Sequence, residues 1–161
     1  MCGRTTVFED RLRPGRKGTD ALPPLLEKYA PVDATIIMLG TNDCKAAFKA
    51  SVSMIGNGIC QCLNILTRQI SPDRILLISP IFLGEDVWRP EKDPEFDKNS
   101  VLTCRQLKSE YKHIARQYGT AFLAASDFAV ASDIDNEHLS PVGHMSLANS
   151  IYEKLIEMKV I

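Results

Sequence analysis

Three short apolar runs without polar alternation limit this chain to few folds. ATIIML at 34–39 closes on Gly40, RILLIS at 74–79 closes on Pro80, and TAFLA at 120–124 is a weaker third copy. A strand with one face in water alternates apolar and polar residues, whereas a strand of a parallel sheet, covered on both faces, reads as an unbroken apolar run. The runs therefore predict parallel strands buried on both faces.

Helical periods separate them. Ile55, Ile59, Leu63, Leu66 and Ile70 recur at intervals of three and four, as do Leu107, Tyr111, Ile114 and Tyr118, and later Leu147, Ile151 and Leu155. Ahead of the first run, Asp20 to Tyr29 suits a short helix with Thr19 as its N-cap and Pro23 and Pro24 in its opening turns. Helices alternating with apolar strands predict an α/β sandwich, a parallel sheet with right-handed crossovers. Only three strands are visible, where such sheets usually carry about five. Residues 81–100, with Gly84, Trp88, Pro90, Pro94 and Phe96, form the one long irregular stretch. A loop this long in a compact domain is a binding element, an oligomer contact or disordered.

A length of 161 residues predicts one domain over 1–161. Lys plus Arg total 19 against 20 Asp plus Glu, so the net charge of −1 gives no field to draw in a nucleic acid or a membrane surface. The N-terminus lacks the apolar core of a signal peptide, and no window approaches the ~20 apolar residues of a membrane span, so a cytoplasmic protein is expected. Cys2, Cys44, Cys60, Cys62 and Cys104 are odd in number and scattered, which predicts buried or half-buried free thiols rather than disulfides or a zinc site.

Ligands of open α/β sheets bind at the carboxyl ends of the strands. There lie GTND at 40–43, Ser79, and DNEHLSPVGH at 135–144. GTND reads as a plain turn or as a loop whose Asn42 amide donates to a developing oxyanion. DNEH reads as a helix cap followed by a first-turn histidine, or as a carboxylate on His138 Nδ1 that leaves Nε2 free as a general base. Ser140 and Pro141 suit the start of the last helix. His144 is expected to pack or cap on that helix's first turn, and His113, in mid-helix, has no role. Arg11, Arg13, Arg16 and Lys17 read as a solvated loop around Pro14 and Gly15, with a lesser reading as a border of the substrate entrance.

GTND after a buried strand and DNEHLSPVGH before the last helix resemble the SGNH hydrolases, also called GDSL esterases and lipases. The opening, from CGRTTVFEDRLRPG through GTNDCK, is similar to the second and third conserved blocks of the arylesterase and acyltransferase branch. The resemblance covers essentially the whole chain. It implies a flavodoxin-like fold, an acyl-serine mechanism on small-molecule esters, Asp135 and His138 as acid and base, and Gly3, Gly40 and Asn42 at the oxyanion hole. No cofactor or metal is implied.

In one place the chain departs from the family. The block carrying the nucleophilic serine, Gly-Asp-Ser, belongs upstream of Gly3, and no such block is present. Ser140, Ser126 and Ser79 lack an equivalent context, and Ser79, before Pro80 at a strand tip, is only a poor substitute. The expectation is a domain without its first strand, helix and second strand, holding about three of five strands and inactive alone. Thr35 to Leu39 should then be an edge with an uncovered apolar face, marginally stable or self-associating as a homo-oligomer. Two alternatives remain: a non-catalytic domain of this fold that binds an acyl or glycan ligand, and a metal-assisted hydrolase using Asp135, His138 and His144. Trp88 and its neighbours are the expected pocket walls or subunit contact.

Overall fold

The computed structural model describes residues 3–161. Along the chain run α1 (Gly18–Tyr29), β1 (Thr35–Ile37), α2 (Val52–Leu66), β2 (Ile75–Ser79), α3 (Lys98–Tyr118), β3 (Ala121–Ala124) and α4 (Pro141–Glu157). The strands form a parallel sheet in the order β1-β2-β3, with Ile36 opposite Leu76 and Leu77 opposite Phe122. This is the truncated α/β, flavodoxin-like sandwich expected, with three strands among the described residues.

Each helix starts where its sequence can satisfy the first backbone N–H groups. Ser51 caps α2 by accepting from Met54 N, Asp97 and Ser100 cap α3 reciprocally, and Ser140 caps α4 by accepting from Gly143 N at 3.1 Å. Each such cap contributes about 1 kcal/mol. The Thr19 cap is a correction. Helix α1 begins at Gly18 after Lys17 without a side-chain cap, because Gly18 N and Thr19 N donate instead to the carbonyls of Thr5 and Thr6. The N-terminal segment is thereby joined to α1. A side chain at Gly18 would stand 2.9 Å from the Thr5 carbonyl oxygen, so only glycine permits that approach.

Two cores flank the sheet. Ile37, Ile75 and Leu77 meet Ile55, Ile59 and Leu63 of α2 and Leu107, Tyr111 and Ile114 of α3. On the opposite face Leu76, Ile78 and Leu123 meet Leu147, Ile151 and Leu155 of α4. All five residues of the central strand are buried, as its unbroken apolar run requires. The edge strand departs from the expectation of two buried faces. Ile36 shares a face with Leu76, but α4 lies over β2 and β3, so Ile36 and Met38 remain 44% and 45% exposed while Ile37 is buried. The uncovered apolar edge is therefore real.

The irregular stretch ends at Asp97, three residues earlier than expected, because Asp97 and Ser100 nucleate α3. It is anchored at both ends. Ala46 N donates to Glu95 O at 2.9 Å, Gly84 N donates to Asn136 O at 2.8 Å, and Lys92 Nζ donates to the carbonyls of Asp133 and Ile134. Cys44, Cys62 and Cys104 are buried free thiols and Cys60 is half-buried; Cys2 lies outside the described residues. No helix among the described residues is long and apolar enough to cross a membrane.

Candidate active site

Residues 131–139 form a narrow loop. Ser132 N donates to His138 O at 2.7 Å, Asn136 N to Ser132 O at 2.8 Å, and Asn136 takes the left-handed conformation (φ 59°) that reverses the chain. Within it Asp135 Oδ1 accepts from Glu137 N and His138 N at 3.0 and 2.9 Å, the pattern of a short acidic side chain folding its own turn. The other oxygen is thus aimed outward. Asp135 Oδ2 lies 2.8 Å from His138 Nδ1, which fixes the tautomer and turns Nε2 away.

The electrostatics follow from these contacts. Burial raises the Asp135 carboxyl, but the backbone hydrogen bonds and the imidazole outweigh it and hold the carboxyl below its usual range. Hydrogen bonding to Asp135 lifts His138 above its usual 6.5 against a smaller burial penalty, with Glu137 adding to the rise. The histidine side chain is 71% exposed and so accessible from solvent.

His138 opens on a cavity of about 320 Å³ whose walls include Gly3, Asn42, Met38, Ile81 and His144. Gly3 has φ 69°, and a Cβ built there would stand 4.0 Å from Asn42 Oδ1. The loop carrying Asn42 is fastened to the N-terminal segment just behind this point: buried Asp43 accepts from Thr6 N at 2.9 and 3.1 Å and from the Thr6 hydroxyl. Gly3, Asn42 and His138 are therefore brought to one pocket. Gly40 is not among its walls. It packs on α3, where an added Cβ would stand 2.5 Å from the Tyr111 hydroxyl oxygen, and its φ of 124° suits glycine alone.

Among the described residues, no serine and no cysteine lines this cavity. Ser79 is fully buried with its hydroxyl unpartnered, Ser140 is committed to capping α4, and Ser126 borders a separate cavity with Phe82. None of the three lines the cavity that His138 faces. Asp135, His138 and His144 do not form a chelating triad: among the described residues, no three His, Cys, Asp or Glu side chains converge to hold a metal ion.

Several wall residues were not legible beforehand. His144 was expected to pack or cap, but it is exposed at the pocket; its position one turn into α4 was the available signal. Arg4 and Glu137 also line it. Trp88 does not; its indole donates to Glu85 O at 2.8 Å and its ring lies 4.9 Å from Lys98 Nζ. The solvated reading of the basic loop is corrected at Arg13. Its guanidinium bridges Asp10 and Glu95 at 3.0 and 2.9 Å, and buried Lys45 joins the same two carboxylates at 3.6 and 2.7 Å. Long-range ion pairs of this kind leave no local pattern.

Comparison with known proteins gives a consistent picture. No protein-family model and no curated protein matches the chain. Among solved structures, one crystal structure is 37% identical with a TM-score of 0.90, the match covering 97% of this chain and 74% of that one. Est24, a carbohydrate acetylesterase from Sinorhizobium meliloti, is 27% identical with a TM-score of 0.85, covering 97% and 75%. An aryl esterase from M. smegmatis, solved with an inhibitor, shares the fold at 24% identity, with a TM-score of 0.85 and coverage of 97% and 75%.

Proposed function

We propose that this chain, which belongs to the SGNH hydrolase (GDSL esterase) family, forms the acid–base and oxyanion half of an ester hydrolase that works on small esters through an acyl-serine. The Asp135–His138 pair, 2.8 Å apart and facing a cavity shared with Gly3 and Asn42, carries the reading. In the reaction a serine hydroxyl loses its proton to His138 Nε2 as it attacks the ester carbonyl. The Gly3 N–H and the Asn42 amide take the negative charge of the tetrahedral intermediate. His138 returns the proton to the leaving alkoxide, and water repeats the sequence to release the acid. Asp135 holds the imidazole in register and stabilises its cationic form. Gly40 shapes the turn that presents Asn42.

With no serine on the cavity wall, the 161 residues are expected to hydrolyse no ester by themselves. A fusion that joins a Gly-Asp-Ser segment of a related esterase ahead of residue 1 is expected to hydrolyse 4-nitrophenyl acetate. In that fusion Asn42→Ala should cost about 10²- to 10³-fold in kcat. A fusion that folds and stays silent would favour a second reading, which the serine-free wall also suits: a domain that binds an acyl or glycan ligand without turnover.

A further inference from the structure

We infer that Glu137 is a positioning residue for the base: a second carboxylate that, with Asp135, stabilises the cationic form of His138. The inference rests on the proposed role of His138. Two carboxylates approach one ring nitrogen, Asp135 Oδ2 at 2.8 Å and Glu137 Oε2 at 3.7 Å from Nδ1. Only one can take the single Nδ1 proton, and the shorter contact belongs to Asp135. Glu137 then acts through its charge.

The two carboxylates differ in setting. The Asp135 side chain is 35% exposed and Glu137 only 11%, so the field of Glu137 is the less screened by water. Glu137 is also adjustable. Burial pushes its carboxyl above the usual range, His138 and Lys45 favour its ionised form, and Asp93, in hydrogen-bond contact, opposes it. His138 in turn faces Asp135, Glu137 and Asp93, with Arg4 and His144 on the same cavity wall. Forming the imidazolium therefore draws Glu137 toward its carboxylate, so that charge separation at the base is met by a buried counter-charge. A general base gains from this at the moment it holds the proton.

NMR titration of the His138 imidazole in the 161-residue chain tests the inference without requiring turnover. Glu137→Gln, nearly isosteric, is expected to lower the His138 midpoint by about half a unit to one unit, with the backbone amide spectrum otherwise retained. Glu137→Asp, which keeps the charge, should retain most of the wild-type value. An unchanged midpoint in Glu137→Gln overturns the inference. Should that variant not fold, the side-chain ¹³C carboxyl signal of Glu137 in the wild-type chain decides: it should show a step at the His138 midpoint, and a flat trace there overturns the inference equally. Asp135→Asn separates the two levels. A midpoint insensitive to Asp135→Asn sinks the acid–base pair itself, whereas one that responds to Asp135→Asn but not to Glu137→Gln sinks only the role of Glu137.

Discussion

Asp43 and Thr6, both fully buried and far apart in sequence, hold together the two segments that carry the proposed oxyanion donors: both carboxylate oxygens accept from Thr6 N, at 2.9 and 3.1 Å, and one also accepts from the Thr6 hydroxyl. Asn42 precedes Asp43 directly, and Gly3 lies three residues before Thr6. Thr6→Val removes one of these donors and leaves a buried carboxylate less satisfied. It is expected to cost about 1–3 kcal/mol in urea denaturation at pH 7.5. No loss there would mean that the clamp contributes nothing.

The same carboxyl sets a pH dependence. Burial pushes Asp43 up to about 6, against the hydrogen bonds from Thr6, which lower it. The folded chain thus holds this proton more tightly than the unfolded chain does. The contribution to stability is complete below the unfolded value near 4 and is lost as pH rises through about 6. Two units correspond to at most about 3 kcal/mol. His138, also raised, acts with the same sign, but its exposure makes its share small. Urea midpoints should fall between pH 4.5 and 7.5, and Asp43→Asn should flatten the fall; a slope unaltered by that substitution would contradict the assignment.

Ile36 and Met38 offer an uncovered apolar strand edge beside the pocket mouth. Such edges pair with other chains unless a charge interrupts them. Sedimentation velocity of the 161 residues should show concentration-dependent association, and Ile36→Lys should shift the population toward monomer. A wild-type chain that stays monomeric at high concentration would contradict this.

Gly84 secures the loop that holds the proposed acid and base, Asp135 and His138. Its N–H donates to Asn136 O at 2.8 Å, and an added Cβ would lie 2.6 Å from Asn136 Cβ. That atom is tied to the backbone and cannot swing aside. Gly84→Ala is therefore expected to cost about 1–3 kcal/mol and to let the His138 midpoint fall back toward 6.5, read by the same titration. A stable variant with an unmoved histidine would show that the loop holds its shape without this contact.

The parts of the molecule set by short-range rules were legible in the sequence. Unbroken apolar runs gave all three strands, and three-and-four spacing gave α2, α3 and α4, with Ser140 and Pro141 starting the last as expected. The local turn of DNEH brought Asp135 to His138 because the aspartate hydrogen-bonds its own loop. What escaped depends on distant partners. Thr19 failed as a cap because the carbonyls of Thr5 and Thr6 took its place. Nothing in the local sequence of Arg13 or Lys45 announces Glu95, and nothing in that of Asp43 announces Thr6. The half-exposed state of β1 follows from where α4 lies, which periodicity does not encode.

The measurement closest to the central claim is kcat/KM for 4-nitrophenyl acetate in the serine-bearing fusion, compared with its His138→Ala variant. The account predicts a loss of at least about 10³-fold with folding intact, because His138 is the cavity histidine that a carboxylate orients, Asp135 at 2.8 Å from Nδ1. Activity retained within about tenfold in a folded His138→Ala fusion would contradict it.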